Sequence, residues 1–505
     1  MKKIIELDSL KAEVENEKKK SKSVGLCHGV FDLLHLGHIK YLQEAKTKCD
    51  TLIVTITPDK YVNKGPGRPV FNEAQRVEAI ASLSCVDYVS INKWETAIDT
   101  LSLLKPTLYI KGPDYKNFSD DVTGNIKLEK KAVEKIKGKL VFTSGDIFSS
   151  SKLINNSLFK QKGEKEHFTT HLKKALNKKS PIDLIDKLSD LKVLLVGESI
   201  LDEYVFCETV GKAGKDPFLV SKKISSEIYA GGVLAGANNI CDFVSEIKIL
   251  SYIGDRDSKI RLIKKLLNKK VDYECVEKDD SPTIFKTRFI DEYTNSKISG
   301  IYDLNDNPLS KEKEKEFCEK LNKNIKNYDL VIVMDFGHGL LTEKVVSILE
   351  KKSKFLALNL QQNSFNSGFY NLRKFNSANL LLVNEGEIRQ HFRDKLSPIE
   401  SLISKLMNQK NYDNLIISRG TKGSILKQGS KDFIFVPALA SNIKDRVGAG
   451  DSLFVISSLS LALKQPEIFS LFLGSLAAAE TISYQGNSKS ISKVNLVKAV
   501  NSSLK

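Results

Sequence analysis

Two stretches of this chain bring together residue types that handle phosphate. In Gly29-Val30-Phe31-Asp32-Leu33-Leu34-His35-Leu36-Gly37-His38, two imidazoles stand three residues apart around a glycine. An apolar, strand-like run from Val24 to Cys27 precedes them and a helix-like run from Ile39 to Lys46 follows, so the histidines fall at a strand-to-helix turn. Free backbone N–H groups at such a turn favour an anion, and Gly37 lets the backbone approach it without a Cβ. The second stretch is Asp445-Arg446-Val447-Gly448-Ala449-Gly450-Asp451, which leads into a helix-like run from Ser452. A Gly-Ala-Gly turn at a helix start presents successive N–H donors to a phosphoryl oxygen, and the neighbouring Asp451 can take a proton from an attacking hydroxyl. Few other chemistries need both.

The elements that position these residues follow from periodicity. Thr51 to Ile56, Val86 to Ile91 and Leu108 to Ile110 read as strands, and Asn72 to Leu83 and Thr96 to Leu104 as helices. Alternation at this spacing predicts an α/β fold with a parallel, doubly wound sheet, whose ligands bind beyond the carboxyl ends of the strands. A second apolar strand, Val193 to Val196, restarts the pattern ahead of Gly197-Glu198-Ser199-Ile200-Leu201-Asp202. The expected organisation is a charged arm over 1–23, a first domain over 24–158, a polar linker with one helical piece over 159–190, and a second domain over 191–505.

Composition narrows the class. A length of 505 residues calls for two or three cores, and 41% hydrophobic with 28% charged residues is globular. No leader-like apolar segment opens the chain and no run is long and apolar enough to span a bilayer, so a cytoplasmic protein with no membrane partner is expected. Seven scattered cysteines without a CxxC pair argue against a zinc site or a disulfide framework. The net charge of +16 comes from lysines interleaved with glutamates along the whole chain, which fits a solvated surface on a protein of phosphorylated ligands better than a nucleic-acid partner.

The first stretch resembles the HxGH signature of nucleotidyltransferases that activate head groups and sugars. The resemblance covers residues 24–158 and implies a Rossmann-like fold in which Gly29, Phe31, Asp32 and Gly37 bind nucleotide beside His35 and His38. In the same family, a lysine loop and an arginine helix hold the triphosphate. Lys64-Gly65-Pro66-Gly67-Arg68-Pro69 and the helix carrying Arg76 resemble these, giving Lys64 and Arg76 catalytic roles. Lys111-Gly112-Pro113-Asp114-Tyr115 is similar to the KGGDY segment of the heptose branch, which assigns Lys111 and Asp114 to substrate. Ser149, Ser150 and Ser151 resemble the helix start that contacts phosphate. The run Thr143-Ser144-Gly145-Asp146 lacks the arginine of the head-group branches, so the likeness leans towards the sugar branch.

The second stretch closely resembles the GAGD signature of the ribokinase-like (PfkB) carbohydrate kinases. Gly231-Gly232, the run Pro282 to Arg288, Asp335-Phe336-Gly337-His338-Gly339, Asn384 with Glu387, and Ser418-Arg419-Gly420 follow in the family's order. The resemblance implies Asp451 as base, Gly448, Ala449 and Gly450 as anion hole, and Asn384 and Glu387 placing phosphate and Mg2+. It assigns Asp202, Gly231, Gly232 and Arg288 to the sugar. The chain departs from the pattern at Glu198, Ala235, Asn359-Leu360-Gln361 and His338, so the sugar pocket looks re-cut around a retained catalytic core.

Together the halves resemble a bifunctional heptose-phosphate kinase/nucleotidyltransferase with its domains in swapped order. The implied function is two-step sugar activation. ATP phosphorylates a sugar or sugar phosphate at the anomeric hydroxyl, and an NTP, ATP or CTP, then gives the NDP-sugar and pyrophosphate. Mg2+ is the implied cofactor, K+ an additional one, and a second copy in a homodimer the implied partner. Two other readings are a kinase domain of different sugar specificity and a non-catalytic sensor that regulates the transferase.

Overall fold

The computed structural model describes residues 3–62, 65, 68–113, 125–144, 162–177, 179–369, 372–440 and 442–504, with side chains of 162–167 left aside. The chain divides into two compact units, Met1–Lys162 with Val494–Lys505, and Gly163–Lys493.

In the first unit, β1 (Val24–Gly29), β2 (Thr51–Ile56), β3 (Tyr88–Ile91), β4 (Leu108–Lys111) and β5 (Lys139–Phe142) form one parallel sheet in the order β3-β2-β1-β4-β5. Alternation along β1 splits the core into two layers. Val24 and Leu26 face Leu101 and Tyr109, whereas Cys27 faces Leu42 and Ile80. The strand order reverses between β1 and β4, so the carboxyl end of β1 lies at the switch point where such sheets bind ligands.

The expected N-terminal arm is instead part of this core. Helix Leu7–Lys19 buries Leu7, Leu10 and Val14 in the layer with Val24, and Ile4 bridges to Val89 beside β3. Spacing of 3 and 4 residues between those side chains is an amphipathic stripe that the charged neighbours mask in composition.

The second unit holds two sheets. Its strands are β6 (Lys192–Gly197), β7 (Ser199–Lys212), β8 (Leu219–Gly231), β9 (Glu246–Gly254), β10 (Val271–Lys278), β11 (Phe285–Asp291), β12 (Ser296–Asp303), β13 (Leu330–Asp335), β14 (Leu356–Leu360), β15 (Ser377–Asn384), β16 (Asn411–Ser418), β17 (Ser424–Gln428) and β18 (Ile434–Val436). The nine-stranded sheet runs β10-β9-β6-β13-β14-β15-β16-β17-β18 and is parallel as far as β16. The second sheet, β12-β11-β7-β8, is mostly antiparallel and was not legible in the periodicity.

The expected linker is helical and packed. Helix Lys162–Leu176 buries Phe168, Leu172 and Leu176 at four-residue intervals, with Phe168 against Phe472 at 5.6 Å, and helix Pro181–Asp186 buries Leu184 and Ile185. At the other end the expected boundary also moves, because Val494–Lys505 groups with the first unit. All seven cysteines are free thiols. Among the described residues no helix is long and apolar enough to cross a membrane.

Leu10 is fully buried. Leu10→Ala is expected to lower stability by about 2–5 kcal/mol in chemical denaturation of the full chain, where an appended arm would register almost nothing.

Candidate functional site

At the carboxyl end of β1 the chain turns sharply through Phe31, whose φ of +49° is in the left-handed region. A Cβ on Gly29 would lie 3.1 Å from the Phe31 ring, a tight approach that glycine relieves. His35 caps helix Leu36–Lys46, its Nδ1 accepting the Gly37 N–H at 3.0 Å, which leaves the proton of the neutral ring on Nε2. His38 stacks on His35 with centroids 4.0 Å apart and planes at 23°, and Phe31 sits edge-on to His38 at 5.3 Å. Gly29, Phe31, His35, Gly37 and His38 thus share one turn at the switch point.

Three other expected site residues serve as struts. Arg76 is 1% exposed and gives its guanidinium to the carbonyls of Phe71, Val30 and Thr57 and to the Asp59 carboxylate. With those donors spent inside the fold, it holds the loops around the turn together and does not offer itself to a triphosphate. Asp32, expected at the nucleotide, is buried and accepts from Arg68 Nη1 at 3.2 Å and from the Val70 and Phe71 N–H groups. It anchors the end of the basic loop. Lys111, expected at the substrate, is buried in an ion pair with Glu129 at 2.9 Å. Lys64, Asp114, Ser149, Ser150 and Ser151 lie outside the described residues.

His28 carries a role the sequence reading missed. Its two ring nitrogens meet Thr55 Oγ1 at 2.9 Å and Thr57 Oγ1 at 3.3 Å, and burial, helped by Lys111, pushes its pKa down to about 3. A neutral imidazole there ties the ends of β1 and β2 together.

In the second unit the helix Ala449–Ala462 starts at Gly448, whose φ of +83° and close approach to Asn487 exclude a side chain. A Cβ on Gly450 would meet nothing within 4 Å, so the side of the helix start that Gly450 presents is open, and the first N–H groups of a helix have no partner within it. Asp451 sits in its first turn and accepts a hydrogen bond from Gln361 Nε2 at the end of β14. Burial, with Asp202 adding to it against Gln361 and Lys286, pushes the Asp451 carboxyl up to about 6.

The mostly antiparallel sheet supplies the facing wall. Asp202 on β7 pairs with Arg288 on β11, and a Cβ on Gly231 would come within 2.3 Å of the Asp202 carboxylate. Gly232 has φ +54° and a Cβ there would meet the Glu198 carbonyl at 2.6 Å. Arg288 lies over the rings of Tyr204 and Tyr302 at 5.7 and 5.6 Å, and buried Lys286 lies 5.5 Å from Tyr302 and 5.7 Å from Phe336. Burial lowers the Lys286 pKa.

Two departures from the family pattern have a physical role. Glu198 is fully buried and accepts the N–H groups of Phe336 and His338 at 3.0 and 3.1 Å, pinning the turn after β13; burial, then Asp335, raises its pKa. His338 is fully buried, with Nδ1 on Asp306 at 2.7 Å and Nε2 without a hydrogen-bond partner among the described residues. Buried polar atoms are seldom left so, and Nε2 is therefore a candidate contact for a substrate hydroxyl.

The Asn384 and Glu387 spacing proves to be a capping box. Asn384 Oδ1 accepts the Glu387 N–H, and Glu387 Oε2 the Asn384 N–H, while Oε1 takes the Gln362 N–H at 2.9 Å. Burial pushes Glu387 up to about 7. Both oxygens already hold backbone donors, so Glu387 is a poor direct ligand for Mg2+ and a better acceptor for the metal's water. Among the described residues no cluster of three or more His, Cys, Asp or Glu side chains is arranged to hold a metal.

Residues 192–494, more than half of the chain, match the pfkB family carbohydrate kinase model. The chain belongs to the pfkB family. Residues 26–172 match the cytidylyltransferase-like model, so the transferase-like segment comes first here, and an inversion of order relative to relatives is not evident in these matches. The chain is 43% identical over 115 residues to the bifunctional protein HldE of Geobacter metallireducens, covering 22% of this chain and 24% of that one. It is 26% identical over 330 residues to HldE of Trichlorobacter lovleyi, covering 64% and 66%. The chain spans only about a quarter of the length of the Geobacter metallireducens relative and of several others. The pfkB domain superposes on phosphofructokinase-2 of Escherichia coli in complex with potassium, with TM-score 0.52 and 15% identity, over 62% of this chain and 99% of that one, a likeness of fold.

Arg76→Met is expected to lower the melting temperature of the nucleotide-free chain, at a cost of at least about 2 kcal/mol for the acceptors left unpaired, where a residue reserved for the triphosphate would leave ligand-free stability unchanged.

Proposed function

We propose that the chain activates a sugar in two steps, one in each unit. The observation that carries this reading is Asp451, a carboxyl raised to about 6 beside an open helix start and within electrostatic reach of Asp202. The pfkB domain would transfer the γ-phosphoryl group of ATP to the anomeric hydroxyl of a sugar or a heptose 7-phosphate-like sugar phosphate. The hydroxyl loses its proton to Asp451, its oxygen bonds to the γ-phosphorus, and ADP leaves with the bridging oxygen. Asp202 orients the sugar, while Gly448, Ala449 and Gly450 hold the phosphoryl oxygens. Mg2+, arriving on the nucleotide with Glu387 nearby, supplies charge neutralisation on the phosphates.

The first unit would join the sugar 1-phosphate to a nucleoside monophosphate. A phosphate oxygen attacks the α-phosphorus of an NTP, ATP or CTP, and pyrophosphate leaves. The attacking oxygen is already nucleophilic, so alignment and charge neutralisation suffice, with His35 and His38 stacked at the start of helix Leu36–Lys46. Lys64, Asp114 and Ser149 to Ser151 keep their proposed roles at triphosphate and substrate, whereas Arg76, Asp32 and Lys111 act by holding the frame.

A sensor has no use for a carboxyl in the first turn of the anion-hole helix and within electrostatic reach of Asp202, so Asp451 disfavours that alternative. Asp451→Ala should abolish ADP formation and spare pyrophosphate release from supplied sugar 1-phosphate, and kcat/KM for ADP formation in the parent should rise with pH through about 6. His38→Ala should do the reverse, slowing pyrophosphate release by about 10²–10³. Loss of both activities in either variant would overturn the division of labour.

We place the homodimer contact on the β12-β11-β7-β8 sheet, which exposes Val210, Leu219, Ile224 and Ile301. Light scattering should find two chains per particle, and Ile301→Lys should return it towards one.

A further inference from the structure

Three residues before the anion-hole turn stands a carboxylate that the mechanism above does not use. Asp445 is 5% exposed and has four donors. Its Oδ1 accepts from Lys297 Nζ at 2.7 Å and the Val447 N–H at 3.2 Å, and its Oδ2 from the Tyr204 hydroxyl at 2.7 Å and the Gly486 N–H at 3.0 Å. Burial works to raise its pKa, but Lys297 and Tyr204 outweigh it and hold Asp445 below the ordinary carboxylate range. A buried charge of this kind needs a counter-charge. The chain provides one of its own.

Lys297 reaches this position through an irregularity in β12. Along β11 and β12, Lys286 faces Tyr302 and Arg288 faces Gly300, but Ile290 faces Lys297 because the register shifts after Phe289. Lys286, Arg288 and Ile290 alternate onto one face of β11. Counted back from Tyr302 and Gly300, Lys297 would fall on the opposite face without the shift. The bulge turns it onto the face of Ile290, which packs with Tyr204 and Tyr229. There the ammonium lies 5.8 Å from the Tyr204 ring and on the Asp445 carboxylate.

The K+ that the family resemblance implies does not fit this arrangement. A monovalent cation that neutralised Asp445 would compete for a carboxylate whose Oδ1 already carries an ammonium of equal charge. We propose that Lys297 is a tethered counter-cation for the anion-hole turn, doing for Asp445 what a bound monovalent cation would do, so that the kinase step of this chain needs no K+. Lys297 is a positioning residue: through Asp445 it fixes Val447 and, with it, the start of the N–H row that holds the transferred phosphoryl group. A cavity of about 240 Å³ lined by Lys297, Asp445, Ile443, Lys444, Arg446 and Gln485 gives solvent cations access to the carboxylate once the lysine is shortened.

The inference rests on the kinase reading, but its test has an arm that needs no turnover. The full chain is melted in KCl and in choline chloride of equal ionic strength, and the KM for ATP is measured in both. The parent and Lys297→Arg should show the same melting temperature and the same KM in the two salts. Lys297→Ala should melt lower in choline chloride and recover in KCl or methylammonium chloride, with its KM for ATP raised about tenfold in choline and restored by K+. Should the alanine variant fail to fold in either salt, Lys297→Gln, which keeps the stem, takes its place. A parent stabilised by K+ over choline, or a Lys297→Ala or Lys297→Gln variant that responds to K+ no more than the parent, overturns the proposal. Absence of ADP formation in every form would instead sink the kinase reading and leave the melting result to stand alone.

Discussion

A carboxylate taken out of water at the end of a parallel strand is the constraint on which the second unit depends. Parallel strands bring their carboxyl ends to one edge, where the turns leave backbone N–H groups without partners. Glu198 meets this after β6 by accepting two N–H groups from the turn after β13, and Glu387 meets it after β15 by accepting its own helix start and the segment after β14. Each clamp joins two neighbouring strand ends, so the edge is stiff before any ligand arrives. Asp451 differs in that, among the described residues, its hydrogen-bond donor is one side-chain amide, Gln361. Glu198 and Glu387 build the edge through backbone donors, whereas Asp451 holds none of the backbone.

The first unit meets the same constraint with cations. Arg76 and Arg68 are spent on carbonyls and carboxylates that close the loops around the histidine turn, and Lys111 on Glu129. A guanidinium with several bonds to backbone oxygen is a rigid joint, and its removal would loosen loops on both sides of β1. That work is structural, but it fixes where His35 and His38 stand.

Much of this was legible in the sequence because it was local. The strands β1, β2 and β4, the helix starts at His35 and Gly448, and the Gly-Ala-Gly turn follow from apolar periodicity and backbone conformations that few residues adopt. Residue type alone could not separate a cation or carboxylate that meets substrate from one that meets the fold. Arg76, Asp32 and Lys111 sit where a phosphate-binding group would be expected, yet their partners are distant in sequence, such as Val30 for Arg76 and Glu129 for Lys111. Asn384 and Glu387 are expected from the resemblance to place phosphate and Mg2+, whereas at this spacing they form a capping box. The packing of helix Leu7–Lys19 and of the segment from Lys162 was hidden by charged residues, whose solvent face dominates composition although a narrow apolar stripe decides packing. The mostly antiparallel sheet was missed because its long strands carry polar residues on both faces, and its role shows only when Asp202, Lys286 and Arg288 are seen on one side.

His35 holds two positions at once, as a member of the stacked imidazole pair and as the cap of the helix that follows it. An imidazole can cap through Nδ1 only while that nitrogen keeps its lone pair, so a second proton on the ring releases the Gly37 N–H and frays the first turn, a loss of about 1 kcal/mol of helix stability. Any replacement that preserved only the ring, or only the cap, would separate two positions that this one side chain joins.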